Sequence, residues 1–236
     1  MKGSHRTEPT TAERARSILA AAGSLTVITK EQRHTLIGLH AVGPAGQLTL
    51  TDLPDRHLHT EIADAPRGDL AAVLELTDVA PTVVRDRIRA RLTLGGYLTA
   101  TATQGRLRFT LTRAALTEAG EVTDVGLDEL ALAEPDPLAT FEAELLTHLD
   151  AARADTATRL APLLPPRLLL GVTRIRPVRL DRYGLVLRLE HLRSRQDTRL
   201  PFTSPVQHCG QAVDQIRVLL ARAATACPRR RLPTCS

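Results

Sequence analysis

Aromatic residues are scarce in this chain: they make up 2% of its 236 residues, and tryptophan is absent. Proteins that hold single-stranded nucleic acid stack the bases on aromatic side chains, so the composition offers few such surfaces. The net charge of +5 would by itself suggest a nucleic-acid partner. Three positive charges, however, lie in the last ten residues at Arg229, Arg230 and Arg231, and elsewhere arginine is interspersed with acidic residues. We therefore expect no nucleic-acid partner.

Long apolar runs are also missing. No stretch reaches the roughly 18 residues that a membrane-spanning helix needs. The first six residues are not followed by an apolar stretch before Thr10, as a secretory signal would require. We expect a cytoplasmic protein with no membrane partner. Only two of the 31 basic residues are lysine, a bias that suggests a GC-rich, bacterial genome.

Cysteines and several familiar motifs are lacking as well. The chain has three cysteines, Cys209, Cys227 and Cys235, and none is spaced as Cys-x-x-Cys. Neither a zinc site nor a disulfide framework is expected, and free thiols suit a reducing compartment. Gly-x-Ser-x-Gly, Gly-x-Gly-x-x-Gly and the Walker loop are absent, which argues against hydrolase and nucleotide triphosphatase activity.

The first half of the chain is predicted to form a six-stranded antiparallel split β-barrel. An apolar stripe at helical spacing predicts a helix from Thr10 or Thr11 to about Ala22, ended by Gly23. Short apolar and β-branched runs then predict strands separated by turns. The six strands are predicted at 25–29, 35–42, 47–53, 70–76 (buried on both faces), 84–98 (with a Gly-Gly bulge) and 106–112, with a short helix at 54–63. Six such strands usually close into a barrel, because closure removes exposed edges.

The predicted strand at 84–98 carries a row of arginines. Arg85, Arg87, Arg89 and Arg91 occupy alternate positions, so a strand places four guanidinium groups on one side. A helix is the alternative, since apolar residues also recur at every fourth position. Guanidinium groups bind phosphate or propionate, which predicts an anion-binding face. A solvated face, or a dimer seam paired with acidic residues, is the other interpretation.

The second half is predicted to be a small αα-βββ-α domain. Glu134–Pro137 is the predicted linker, with Asp136 as the N-cap of the first helix and Pro137 at its first position. A second helix is predicted at about 155–164. The overall class is therefore α+β.

A hairpin and a closing helix complete the predicted second domain. The run Val178–Leu187 predicts two strands joined by a turn at Asp181–Gly184, where Asp bonds its own backbone and Gly allows positive φ. A third apolar segment lies at 199–202, and an amphipathic helix at about 206–226. The predicted divisions are a disordered N-terminus at 1–9, the split barrel at 10–134, the second domain at 135–226 and a basic flexible tail at 227–236.

The order of these elements resembles the HugZ-type heme-utilisation proteins. These join a split barrel, like that of pyridoxamine phosphate oxidase, to a small C-terminal domain of unknown function. That domain begins with a helix of the form L-x-x-H-M-N-x-D-H-x-D-A. In Leu145–Asp155 of this chain, His148 and Asp155 hold their places, whereas Arg153 stands where the family has its second His.

Two further segments carry the resemblance. The family's acidic-x-x-Gly turn corresponds to Asp181–Gly184, and its closing Arg-x-x-Phe-Pro-like segment to Arg199–Phe202. The match extends over about residues 10–226. The same two-part layout occurs in the plastid protein that binds glutamyl-tRNA reductase.

The resemblance implies a homodimer with sites in the groove between subunits. Members bind heme, flavin mononucleotide (FMN) or neither. His148 would then ligate the heme iron, since neutral imidazole is a standard axial ligand; a structural His is the alternative. Arg85, Arg87, Arg89 and Arg91 would hold heme propionates or flavin phosphate, although the barrel half lacks a convincing phosphate-binding signature for flavin.

We therefore expect a heme- or tetrapyrrole-binding protein with a regulatory role in heme or iron metabolism, and assign no catalytic residue. Two alternatives are a flavin- or heme-dependent oxidoreductase of the heme-degrading type, and a cofactor-free dimer that binds a protein partner. Among the other histidines, His34 and His40 are predicted on one strand face about 20 Å apart, too far for one ion. His57 and His59 diverge on the predicted helix.

Overall fold

The computed structural model describes residues 6–44, 46–53, 55, 57–151 and 156–226. They form two compact units. The half-barrel unit comprises Pro9–Val79 and Ile88–Thr140. The meander unit comprises the described parts of Met1–Glu8, Ala80–Arg87 and Phe141–Ser236. Residues 6–9 belong to no helix or strand, and the predicted tail at 227–236, most of the predicted N-terminal segment and the motif residues Arg153 and Asp155 lie outside the described residues.

The half-barrel unit is built on a curled antiparallel sheet of eight strands instead of the predicted six. Seven strands run in the order β2-β1-β5-β6-β7-β4-β3, and β8 pairs with β7 beside that path. The strands are β1 Ser24–Ile28, β2 Arg33–Ile37, β3 His40–Val42, β4 Leu48–Thr51, β5 Asp69–Val79, β6 Ile88–Ala100, β7 Arg106–Glu118 and β8 Glu121–Val125. The helices of this unit are α1 Thr11–Ala21, α2 His57–Asp64 and α3 Leu127–Leu132.

Helix α1 begins where the sequence predicts it. Glu13 N donates to Thr10 Oγ1 at 3.1 Å, and Thr10 N donates to Glu13 Oε2 at 2.7 Å. This capping box satisfies two backbone N–H groups that the helix itself leaves unpaired. The buried face of α1, including Ile18 and Leu19, joins the core formed by the inward-facing leucines and valines of the sheet.

Three details of the sheet differ from the sequence-based expectations. Gly38 has a φ of +66° and interrupts the predicted strand at 35–42, which instead forms β2 and β3. The segment 120–134, for which no helix or strand is predicted, forms β8 and α3. Strand β5 is not buried on both faces, because its central residues alternate between buried and half-buried positions. The predicted bulge is confirmed as a register shift between β6 and β7 at Gly95–Gly96.

The meander unit contains a three-stranded antiparallel sheet in the order β11-β10-β9. Its strands are β9 Val172–Asp181, β10 Gly184–His191 and β11 Arg195–Pro201. The hairpin turn forms where predicted, and Tyr183 N donates to Asp181 Oδ1 at 3.0 Å. The expected reason for Gly184 is wrong, because its φ is not positive. Instead, a Cβ on Gly184 would collide with the carbonyl oxygen of Leu200 on β11.

Helices α4 Glu142–Ala151, α5 Thr156–Arg159 and α6 Cys209–Ala226 complete the meander unit. The first begins later than predicted, because Asp136 Oδ1 accepts a hydrogen bond from Leu138 N at 2.8 Å in a turn and does not cap a helix. The second is shorter than predicted and is followed by 3₁₀ turns at Ala161–Leu163 and Pro166–Leu169. None of the described helices has both the length and the apolar character needed to cross a membrane.

The segment Ala80–Arg87, which links β5 to β6, packs within the meander unit. Ala80 and Val84 form an apolar cluster with Val178 and Val186. Thr82 Oγ1 donates to the carbonyl oxygen of Pro177 at 2.7 Å. The sequence-based division assigned this segment to the split barrel at 10–134, whereas the structure assigns it to the meander unit.

Candidate functional site

His148, the sequence-predicted iron ligand, is exposed in the last turn of α4. Its neighbours on the helix fix α4 to β9: Asp150 Oδ1 accepts from Arg176 Nη1 at 2.7 Å, and Glu142 Oε1 accepts from Leu180 N at 2.9 Å. His148 therefore lies on the solvent-exposed side of its own unit, where a ligand could reach it but would not be enclosed by that unit.

The predicted row of four arginines does not lie on one strand. Strand β6 begins at Ile88, so Arg85 and Arg87 precede it and belong to the meander unit. Arg85 N donates to Glu190 Oε1 at 2.7 Å, and the Arg85 guanidinium approaches the carbonyl of Leu192 at 3.3 Å. Arg87 Nε donates to the carbonyl of Ala80 at 3.0 Å. The alternation of arginine with other residues begins before the first residue of β6, at Arg85 and Arg87. The prediction of four arginines on one strand is therefore wrong.

Arg89 and Arg91 do share one side of β6, pointing away from the buried Ala90 and Leu92. Arg89 Nε donates to Asp78 Oδ2 at 3.0 Å, and Arg89 Nη2 to Asp78 Oδ1 at 2.5 Å. Only 7% of the Arg89 side chain is exposed. Arg89 is paired with Asp78 and largely buried, whereas Arg91 is exposed. Arg91 is therefore the more accessible of the two.

A cavity of about 660 Å³ lies beside α1 in the half-barrel unit, and we call it the α1 cleft. Arg16 and Leu19 line it from α1, His40 and Val42 from β3, and Glu134 from the segment after α3. A volume of this size is typical of sites for small molecules and cofactors. The cleft therefore places one cationic and one imidazole side chain in a wall of mixed polar and apolar character.

Arg16 is the unusual group of the α1 cleft. It is 4% exposed, its Nε donates to the carbonyl of Ala133 at 3.1 Å, and its Nη2 donates to the carbonyl of Pro44. Its Nη1 has no hydrogen-bond partner, and no carboxylate of the described residues lies within ion-pair distance of the guanidinium. Burial lowers the pKa of Arg16 from its ordinary value.

His40 is the second unusual group of the α1 cleft. Burial lowers the pKa of His40 below 6.5, partly offset by a hydrogen bond to the backbone of Ala22. Its Nδ1 is buried and has no partner. A neutral imidazole with one nitrogen held by backbone and the other unpartnered is the arrangement found in metal-ligating histidines.

A second cleft of about 660 Å³ runs beside α3, lined by parts of β4, β7 and α3 that include Thr49, Arg108 and Asp128. None of its lining residues has a buried polar atom without a partner. It therefore lacks the buried, unpartnered polar atoms that distinguish the α1 cleft.

Three further histidines, His34, His57 and His59, lie on or beside α2. His34 Nε2 lies 3.8 Å from Glu61 Oε1, and the rings of His34 and His57 stack with centroids 5.9 Å apart. His59 turns away and its Nδ1 lies 2.6 Å from Asp52 Oδ2. Within the described ranges no three His, Cys, Asp or Glu side chains are placed to hold a metal ion.

One feature of the sequence could have identified Arg16 as unusual. Arg16 lies on the apolar stripe of α1 with Ala12, Ala15 and Leu19, where a charged residue is out of place. His40 could not be identified in this way. The sequence predicts one continuous strand at 35–42, whereas the chain breaks at Gly38 and His40 begins a separate strand.

Comparisons with known proteins identify the fold. No family model and no curated protein matches the chain. Among solved structures, a heme-binding protein from Mycobacterium smegmatis is 22% identical with a TM-score of 0.59, and the alignment covers 93% of this chain and 100% of that one. A protein of unknown function, Atu2129 from Agrobacterium tumefaciens, is 16% identical over 91% of this chain and 99% of its own, with a TM-score of 0.35. The chain thus shares its fold with the mycobacterial protein.

Proposed function

We propose that this protein binds heme or another tetrapyrrole in the α1 cleft of the half-barrel unit. The observation that carries the proposal is the half-buried imidazole of His40, whose buried Nδ1 has no partner among the described residues, in a cleft of cofactor size. The proposal is supported by the fold shared with a mycobacterial heme-binding protein along that protein's whole length.

The residues of the α1 cleft fit this group chemically. Bound heme would supply an iron, which His40 would hold through an imidazole nitrogen, and two propionate carboxylates. The lowered pKa of His40 keeps its imidazole neutral at pH 7, which is the form that ligates iron.

His148 remains the competing ligand. It matches the family motif, and its exposure makes it accessible. On this alternative the cofactor would rest against α4, and Arg85 and Arg87 of the same unit would be the candidates for its carboxylates. A homodimer and a regulatory role in heme or iron metabolism are parts of the same proposal, and a heme- or flavin-dependent oxidoreductase stays the alternative.

The test is a titration of the purified protein with hemin, followed by the Soret band, in parallel with FMN. We expect a sharp Soret shift with one site per chain. His40→Ala should weaken hemin binding at least tenfold, whereas His148→Ala and the control His59→Ala should bind as the wild type does.

Three outcomes separate the possibilities. Loss of binding in His148→Ala with full binding in His40→Ala would move the ligand to α4. Uptake of FMN without hemin would favour the flavin alternative. If the wild-type protein takes up neither, the proposal is wrong, and a cofactor-free partner protein becomes the better interpretation. Sedimentation of the same samples measures the oligomeric state.

A further inference from the structure

The half-barrel unit buries a positive charge that no acidic side chain of the described residues balances. Arg16 and Arg188 are 4% and 2% exposed as whole residues. Arg188 forms an ion pair with Asp197, whereas Arg16 meets only the backbone carbonyls of Ala133 and Pro44. A buried charge is costly unless it is paired, so the fold leaves Arg16 short of a counter-charge.

The donor capacity of Arg16 is also unused. A guanidinium group carries five N–H donors in one plane, and the two hydrogen bonds of Arg16 leave Nη1 without a partner. Glu134, which lines the same cleft, is exposed and does not reach ion-pair distance. On the same helix, Arg14 is paired with Glu118, so the lack of a partner is specific to Arg16.

The turn after β3 is shaped around the guanidinium. Gly46 has a φ of +80°, and a Cβ on it would collide with Arg16 Nη1. A side chain at residue 46 would therefore be strained and would occupy the place of the guanidinium. Glycine at this position and a carbonyl acceptor at Pro44 together hold Arg16 at the wall of the α1 cleft.

We propose that Arg16 is the receptor for an anionic group of the bound molecule, a carboxylate or a phosphate, in the α1 cleft. Planar guanidinium groups pair with both kinds of oxyanion through two parallel hydrogen bonds. The proposal deepens the proposed function: a propionate of a tetrapyrrole is the carboxylate source, and the phosphate of FMN is the other source. Arg16 takes the role that the sequence gave to the arginines at 85–91.

The experiment compares ligands with and without the anion. Wild-type protein and Arg16→Met are titrated with hemin, hemin dimethyl ester, FMN and riboflavin. If the anion is a propionate, the wild type prefers hemin to its ester by about tenfold or more, as hydrogen bonds to a charged group would give. Arg16→Met should remove that preference. A preference for FMN over riboflavin, removed in the same way, assigns the phosphate instead.

Two further variants, Arg89→Met and Gly46→Ala, test whether the preference depends on the position of the Arg16 guanidinium. Arg89→Met removes an arginine that already has Asp78 as its partner, so it should keep the preference of the wild type. Arg16→Met should fold, because replacing an unbalanced buried charge by an apolar chain of similar length is often neutral or stabilising. Gly46→Ala keeps the charge but displaces the guanidinium, so it should also reduce the preference.

A thermal-shift series with inorganic phosphate and acetate separates this inference from the proposed function. If the wild type binds neither hemin nor flavin but is stabilised by these anions more than Arg16→Met, the heme proposal fails and the anion site stands. If hemin binds and Arg16→Met discriminates hemin from its ester as the wild type does, heme binding stands and the role of Arg16 is wrong. Equal anion effects in both proteins, without hemin or flavin binding, overturn both.

Discussion

Arg188 and Asp197 face each other across the β10–β11 pair and form a two-point ion pair, with Nε–Oδ1 and Nη2–Oδ2 distances of 2.7 and 2.8 Å. The third nitrogen, Nη1, donates to the carbonyls of Arg85 and Asp86 at 2.8 and 2.7 Å. One buried guanidinium therefore joins two strands of the meander to the segment Ala80–Arg87. A second link, from Arg195 Nε to Asp86 Oδ2 at 2.9 Å, lies at the exposed end of the same segment.

Removing Arg188 should destabilise the protein strongly. Arg188→Ala leaves the Asp197 carboxylate, which is 37% exposed, and two carbonyls without their donor. Because Arg188 itself is buried, we expect a loss of about 3 kcal/mol, the lower end for removing one partner of a buried pair. The control is Arg217→Ala: Arg217 pairs with Asp214 on α6, and both side chains are more than 70% exposed, so its loss should stay below about 1 kcal/mol. Urea unfolding measures both. Similar losses in the two variants would contradict the importance of the Arg188 network.

Gly184→Ala should destabilise the meander unit by about 1–3 kcal/mol, the usual cost of an overpacked site. The new Cβ would collide with the Leu200 carbonyl oxygen and lie 3.0 Å from Pro201 Cα, both on the paired strand β11. Backbone atoms in a ladder cannot move aside easily. Gly23→Ala is the matched control, because nothing lies within 4 Å of its added Cβ. If the two variants have equal urea midpoints, close packing at Gly184 does not explain the glycine.

His40 should make the stability of the half-barrel unit depend on pH. Burial lowers the pKa of His40 below 6.5, so between the lowered and the ordinary pKa the unfolded chain binds more protons than the folded chain. The free energy of unfolding therefore rises with pH in that window. The contribution of neutral His40 is fully present above pH 6.5 and is lost as the pH falls below it.

The measurement is the free energy of unfolding of the wild type and of His40→Gln at about pH 7.5 and about pH 5.5. The wild type should lose more stability than the variant on acidification, because glutamine does not titrate. Identical losses in both proteins would mean that His40 does not change its protonation on unfolding in this range.

Local patterns in the sequence predicted the elements that local chemistry determines. The start of α1 at Thr10 or Thr11 and the bulge at Gly95–Gly96 both follow from the residues at those positions. The Asp181 turn was placed correctly for the same reason. The purpose of Gly184 was not predictable, since it depends on a strand that pairs with it from 17 positions along the chain at Pro201.

The candidate site depended on long-range placement and was predicted less well. Arg16 contacts Ala133, which is 117 residues away in sequence, and no periodicity reveals such a contact. The arginine row failed for a related reason: Arg85 and Arg87 alternate like strand residues, but tertiary contacts with Glu190 and the nearby chain hold them outside β6. Whether His148 binds a cofactor stays a prediction.

The placement of Ala80–Arg87 has a consequence for how the protein is made. Arg188, which fastens this segment, lies 103 residues after Arg85, and during synthesis chains fold in order from the N-terminus. The segment Ala80–Arg87 is therefore synthesised together with β5 and β6, but the strands it packs against are synthesised only near the last quarter of the chain. A chain stalled before β9 would expose the apolar Val84 and leave Thr82 without the Pro177 carbonyl, and cellular proteases could recognise it there as incomplete.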